Sequence, residues 1–341
     1  MRIIVTGGNG NVATGVVRRL IEHGHRVKVI DLGDQNQTGS SDYARCDITS
    51  FPALYEQVQG WEAIIHLAAI PDPSGGPGHE IFRINCSGAY NVYEAAAQAG
   101  IHRVVSASSI NALGYNFGIK SFPIRYFPID EDHPTFTTDP YSFSKQVLEE
   151  IAGYFWRREG ISGACLRMPW VYQTTDEMVK MIQTYHPQFS QAFHTLLSMP
   201  DAERRARVQG LIDRFEQLRA ARLNEKPDRE NARLSPEDQD PLMMVTFGHT
   251  DFWTILSVED AAQAFEKAVL ADYEGSHPLF VNESQNFTGI DSETLAGLFF
   301  PGVKQRKRSI TDTQCLVSYQ RAHELFGFEP EHSFIQRMEL N

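Results

Sequence analysis

The sequence predicts an α/β chain: a doubly wound parallel sheet with helices on both faces, a helical insertion, and a smaller C-terminal region. Three observations carry that prediction. Short apolar runs alternate with amphipathic stretches as far as Tyr172, a glycine turn joins the first run directly to the first helical stretch, and the alternation lapses after Tyr172 before resuming near residue 246. Strands separated by helical stretches pair in parallel, because the crossover between them needs a dozen or more residues that pack well as a helix on the sheet.

The runs Arg2–Thr6, Arg26–Ile30, Ala63–Leu67, Arg103–Ala107 and Ser162–Arg167 read as strands, each compact and bounded by polar residues or glycine. Between the first two, Val12, Val16, Val17 and Leu20 recur on one helical face, and Gly24 closes that helix. Ile84–Ala99, rich in alanine, and Tyr141–Arg158 read as two further helices. Beyond Tyr172 no convincing strand occurs before Asp240, but Val208, Leu211, Ile212, Phe215 and Leu218 fall at helical spacing. Asn224 to Asp240 is polar with two prolines and reads as a loop. Trp253–Leu256 is then expected as a strand, Val258–Leu270 as a helix and Leu279–Val281 as a strand. The expected units are 1–172, a sheet domain, 173–245, a mainly helical insertion and possible lid, and 246–341, a substrate-side region with the closing elements.

Composition narrows the class. Apolar residues at 42% and charged residues at 22% suit a globular chain, and no apolar run approaches the length of a bilayer span. Lys and Arg number 31 against 43 Asp and Glu, a balance of −12 that repels a phosphate backbone, so no nucleic-acid partner is expected. Four cysteines lie far apart without metal-ligand spacing, so free thiols in a reducing cytoplasm are expected, and no metal. Arg2 leads at once into a strand with no cleavable leader pattern, which also fits a cytoplasmic location.

Thr6-Gly7-Gly8-Asn9-Gly10-Asn11-Val12-Ala13 puts a glycine turn between a strand and a helix start. Gly7 suits the tight turn, Gly10 allows close backbone approach to a pyrophosphate, and the helix start at Asn11 and Val12 stabilises its charge. Asp31 ends the second strand, where a carboxylate bonds ribose hydroxyls and repels a 2′-phosphate. NAD is therefore expected over NADP on a Rossmann-type sheet. Ala13 replaces the usual third glycine, a small enlargement.

Tyr141 and Lys145 open the helix after Pro140 and, four residues apart, share a face. A phenol with a pKa of about 10 is a poor base near neutrality, and a neighbouring ammonium is expected to lower that value. The serine-rich strand end Val105–Ser109 lies upstream, where a hydroxyl can hold a substrate oxygen beside the phenol.

These motifs together resemble the extended short-chain dehydrogenases/reductases of the NAD-dependent epimerase/dehydratase group, strongly over 1–172 and more loosely over 246–331. The family pattern falls on Thr6 to Ala13, Asp31, Asp47-Ile48, His66-Leu67-Ala68-Ala69, Asn85, Ser109, and Tyr141 with Lys145. The closing Arg321–Pro330 also resembles the family's last helix and turn. The resemblance implies Ser109, Tyr141 and Lys145 as the catalytic set. It implies a cofactor site of Gly7, Gly10, Asn11, Val12, Asp31, Asp47, Ile48, Leu67, Ala68, Ala69, Asn85, Tyr141, Lys145 and Met168. Ser108 remains the alternative to Ser109, and His66 reads as a packing histidine.

Where nucleotide-sugar members of the family carry polar groups for a diphosphate, simple alignment places Trp170 and Trp253. Indoles offer too few donors for that charge, so a sugar or sugar-acid dehydrogenase is expected, similar to uronate dehydrogenase-like enzymes. In that scheme Ser109, Asn111 and Trp170 line the substrate pocket. The dehydratase branch is disfavoured because Ile110-Asn111-Ala112, not an acid pair, follows Ser109. The alternatives are an NAD-retaining sugar or nucleotide-sugar epimerase and a non-catalytic NAD-binding module. The resemblance also implies a homodimer through the Ile84–Ala99 and Tyr141–Arg158 helices, with Tyr90, Tyr93, Phe155 and Trp156 facing outward.

Asp31 generates a direct test: NAD is expected to bind at least about tenfold more tightly than NADP. Equal dissociation constants by calorimetry would remove the assigned role of this carboxylate.

Overall fold

A computed structural model describes residues 1–226, 242 and 248–339. Its main sheet holds β1 (Arg2–Thr6), β2 (Arg26–Asp31), β3 (Asp42–Arg45), β4 (Ala63–His66), β5 (Val104–Ser109), β7 (Gly163–Met168) and β10 (Ser276–Phe280). All neighbours pair in parallel, in the order β10-β7-β5-β4-β1-β2-β3. Two small parallel pairs lie outside it: β6 (Tyr126–Phe127) with β11 (Gln305–Arg306), and β8 (Trp170–Tyr172) with β9 (Ile255–Ser257).

The sheet is buried on both faces, as its near-continuous apolar strands require. On one face α1 (Asn11–Glu22) and the helix Val258–Leu270 bury Val16, Val17, Leu20 and Phe265 against Ile3, Val5 and Val29. On the other, α2 (Phe51–Val58), α4 (Gly88–Gln98) and α5 (Pro140–Glu159) bury Leu54, Val92, Leu148 and Phe155 against Ile4, Ile64 and Val104. The helix expected at Ile84–Ala99 begins earlier, as α3 (Gly78–Phe82), and passes through one widened turn at Arg83–Ser87 before α4.

Several expectations are corrected. β3 was not anticipated, because a polar strand at the sheet edge needs no apolar periodicity. The strand expected at Trp253–Leu256 starts two residues later, since Phe252 and Trp253 adopt left-handed backbone with φ of 59° and 53°. Tyr93 and Phe155, expected to face outward, are buried at 2% and 0% exposure, the Tyr93 hydroxyl lying 3.0 Å from Ser106 Oγ. Tyr90 is exposed as expected, Trp156 is half-buried, and Phe82, Phe143 and Tyr154 are further outward aromatics here.

The insertion forms α6 (Asp176–Ser198) and α7 (Asp201–Ala220), the latter containing the amphipathic stretch read at Val208–Leu218. Phe193, Leu196, Val208, Leu211 and Phe215 join Ile110, Leu113, Tyr115, Trp253, Phe299 and Phe300 in a second core. Residues 227–240 of the expected loop, and the expected boundary at 245, lie outside the described residues. Among the described residues, no helix is long and apolar enough to cross a membrane.

One buried ion pair fastens α5 to β7. Arg167 Nε and Nη2 donate to the two Glu149 oxygens at 2.8 and 2.7 Å, with both side chains under a tenth exposed. Glu149→Leu alone is expected to cost about 3–5 kcal/mol in urea unfolding by stranding a buried guanidinium. The double variant with Arg167→Leu should recover most of that loss, and a strictly additive loss would contradict the pairing.

Candidate active site

The site forms where strands end. β1 stops at Thr6, β2 at Asp31, β4 at His66, β5 at Ser109 and β7 at Met168, so these residues meet along one edge of the sheet. β1 lies between β2 and β4, with Val5 opposite both Val29 and Ile65. The strand order turns back between β1 and β4, and in open parallel sheets the crevice at such a point receives ligands.

The glycine loop fits a pyrophosphate. Gly7 sits at φ 69°, donates its N–H to Ile30 O at 2.7 Å, and a Cβ there would lie 2.6 Å from the Ala68 backbone. Gly10 precedes α1 with no side-chain cap, so the first amides, at Asn11 and Val12, are left for an anion. Asp31 is held by two backbone N–H groups, Asn9 and Gly33, each at 3.1 Å from one carboxylate oxygen. That places the carboxylate beside the glycine turn, where a ribose would extend. Asp47 lies just beyond β3 and accepts Thr49 N and Oγ1, both at 2.8 Å, while the Ile48 side chain beside it is buried under Gly88.

Leu67, Ala68 and Ala69 follow β4, with Leu67 N donating to Thr6 O at 3.1 Å. Asn85 braces this loop: its Oδ1 accepts from Ile70 N, and its Nδ2 donates to Ile70 O and Ser144 Oγ. Its amide is thus used within the protein, although it lines a small cavity with Leu67, Ala68, Ala69 and Lys145. His66 is buried, 2.8 Å from Thr6 Oγ1, and burial followed by the Lys145 charge pushes its pKa down to about 3, leaving it neutral. Met168 is buried and paired in register with Ser109.

α5 brings in Tyr141 and Lys145. Asp139 caps it by accepting from Ser142 N at 2.8 Å, Pro140 occupies the first turn, and Gly160 closes it at φ 68°. The Lys145 ammonium donates to Ala107 O at 2.7 Å and lies 5.6 Å from the Tyr141 ring centre. Burial pushes the Lys145 pKa down to about 8, opposed by Cys165, Cys86 and Glu149. The Tyr141 phenol is held well above its ordinary value, first by burial and also by Asp72 and Asp139, with only Ser109 pulling it down. The expected lowering is not what the protein alone shows: burial is the largest cause acting on the phenol, and its direction is upward.

The two serines are engaged differently. Ser108 donates to Glu149 Oε1 at 2.6 Å, joining the α5–β7 ion pair. Ser109 accepts from Asn111 N and Nδ2, each at 3.1 Å, and acts on the Tyr141 phenol. Asn111 Oδ1 is buried beside Ser109 without a hydrogen-bond partner. Trp170 is 52% exposed at the start of β8, whereas Trp253 is fully buried against Phe299 and Phe300. The placement of Trp253 in a ligand groove is therefore corrected: it is core.

Sequence reading missed three residues here. Glu149 lies one helical turn beyond Lys145, and that spacing could have revealed it. Arg167, its partner, and Phe117, whose ring meets Tyr141 edge-on at 5.8 Å, come close only through tertiary folding. Among the described residues, no group of three or more His, Cys, Asp or Glu side chains could hold a metal ion.

Residues 3–194 match the NAD dependent epimerase/dehydratase family. L-arabinose 1-dehydrogenase (NAD(P)(+)) of Haloferax volcanii is 32% identical over 183 residues, 52% of this chain and 69% of that protein. Uronate dehydrogenase of Pseudomonas syringae pv. tomato is 27% identical over 169 residues, 49% of this chain and 58% of the relative. For most such relatives the chain spans little more than half their length. Over the whole chain, the UDP-glucose 4-epimerase of Thermotoga maritima, solved with UDP-glucose, shares the fold. Its TM-score is 0.62 at 16% identity, covering 100% of this chain and 97% of that one. The strand-end crevice, the glycine loop and the matched family model agree: this chain belongs to the NAD dependent epimerase/dehydratase family of extended short-chain dehydrogenases/reductases, enzymes that work with NAD.

Proposed function

We propose that the chain oxidises a hydroxyl of a free sugar or sugar acid with NAD, using Tyr141 as the general base. The observation that carries this reading is the meeting of Ser109, Tyr141 and Lys145 at one end of β5 and α5, beside the crevice that holds the glycine loop. Two relatives named as free-sugar or sugar-acid dehydrogenases support the substrate class.

Gly7, Gly10, Asn11, Val12, Asp31, Asp47, Ile48, Ala68 and Lys145 would hold the cofactor, with Leu67, Ala69, Asn85 and Met168 shaping its floor. When bound, NAD supplies the hydride acceptor. Ser109 Oγ holds the substrate oxygen, and the Tyr141 phenolate takes its proton as the carbonyl forms. Lys145, charged below about pH 8, must offset the burial that opposes ionisation of Tyr141. Substrate arriving over the phenol shields that charge pair further from water, which strengthens it.

A second copy of the chain is the proposed partner. Phe82 stacks on Phe143 at 5.9 Å and Tyr90 on Tyr154 at 6.3 Å, forming an aromatic stripe across α3, α4 and α5 that is more than a third exposed. Such a stripe, on α5 and on the α3–α4 run beside it, suits a self-complementary contact between two copies.

Tyr141→Phe tests the chemistry. The ring still packs, so NAD affinity should stay nearly unchanged while kcat is lost. Retention of more than about a tenth of the activity would assign the proton to another base. The dimer is tested by light scattering at micromolar concentration: twice the 38.5 kDa chain mass is expected, and a monomer mass would refute the contact.

A further inference from the structure

We propose that Arg219, on the helical insertion, is a positioning residue: it holds the Gly114–Gly118 loop so that Phe117 stays against Tyr141 and sets the substrate fit. The proposal rests on Tyr141 being the reacting group.

Arg219 lies near the end of α7, and its side chain is completely buried. Its Nη2 donates to the carbonyls of two consecutive residues, Tyr115 and, at 3.1 Å, Asn116. The guanidinium also lies 5.5 Å over the Tyr115 ring and 4.9 Å over Phe215, and Nη1 donates to Glu216 at 3.1 Å. Burying a guanidinium is costly, and Glu216 is itself partly exposed, so the charge is not fully neutralised. A leucine would fill a core position at less cost. The guanidinium holds both adjacent carbonyls through Nη2 and Glu216 through Nη1 at once, and its planar fork fixes the three contacts relative to one another.

Those carbonyls belong to the chain that leaves Ser109. One tight turn, Ile110–Leu113, follows that serine, and Gly114 then adopts φ 92°. A Cβ there would stand 2.3 Å from Phe136 O, so the loop is pressed against the 136–138 segment. Two further bonds pin it: Thr250 Oγ1 donates to Asn116 Oδ1 at 2.7 Å, and Ile119 N donates to Thr138 Oγ1 at 3.0 Å. Phe117 is carried between these anchors, with its ring edge-on to Tyr141. Arg219 thus lets the insertion act on the site through a loop it grips.

The test uses the full chain and three variants. In Arg219→Gln, hydrogen exchange at the amides of residues 114–118 should accelerate at least about tenfold, while residues 1–60 exchange as in wild type. The best substrate from a panel of sugars and sugar acids should show KM raised at least about tenfold, with the NAD dissociation constant within about twofold of wild type. Arg219→Lys, which can reach one carbonyl, should partly restore both readouts. Phe117→Ala should raise KM without changing exchange elsewhere in the loop. Wild-type exchange in Arg219→Gln, or wild-type KM in Phe117→Ala, would overturn the proposal. If Arg219→Gln does not fold, Arg219→Lys and Phe117→Ala decide by the same criteria. If the wild-type protein oxidises nothing on the panel, the activity reading fails, and the exchange measurement still decides whether Arg219 holds the loop.

Discussion

At the end of β1 the chain must leave the sheet between β2 and β4, where the backbones of Gly7 and Ala68 are in contact. That contact leaves no room for a side chain, and the remaining geometry of the site follows from it. The turn at Gly7 aims the uncapped start of α1 into the crevice, its N–H ties the turn to β2, and Asp31 arrives beside it at the end of that strand. On the other side, the loop after β4 is pressed back toward α5, where Asn85 stitches it to Ser144, one residue from Lys145. The residues proposed for the cofactor and for the chemistry are thereby placed at the same strand ends, by the pairing of parallel strands and by α5 packed beside them.

The electrostatics run against the chemistry before they serve it. Tyr141 and Lys145 are both buried, so desolvation raises the one pKa and lowers the other, disfavouring the charged form of each. A tyrosine base needs the reverse. The protein keeps the charge of Lys145 close at hand by giving its ammonium a backbone carbonyl, Ala107 O, and by setting the Glu149 carboxylate one helical turn away. Glu149 is committed in turn to Arg167 and Ser108. That network ties α5 to β5 and β7, and with them the register of Ser109 against Tyr141. Ion pairs of this kind contribute little net stability, but they penalise any shift that separates their partners.

The side proposed for the substrate is built on a different principle. No sheet edge defines it. A second apolar core, shared by the insertion and the C-terminal region, carries it through Trp253, Phe299, Phe300 and Tyr115. Trp253 shows how a residue can align with a ligand-binding position and yet be structural: a left-handed backbone turns it inward, and the strand resumes only at Ile255. Phe117, which no motif marked, stands against the phenol instead.

The sequence by itself determined the sheet apart from its polar edge strand β3, the glycine turn, Asp31, and the Tyr141–Lys145 pair, because each is a local pattern: a strand run, a turn that only glycine allows, two residues sharing a helix face. It located the amphipathic helix of the insertion for the same reason. It left open which serine faces the phenol, and it misassigned the buried sides of Tyr93, Phe155 and Trp253. Only the tertiary structure decided those, and it alone brought Arg167 to Glu149, Arg219 to Tyr115 and Phe117 to Tyr141. These contacts join residues as many as 104 positions apart, where no spacing rule reaches. They depend on which face of one element packs on another, and periodicity shows that an apolar face exists without showing what will cover it.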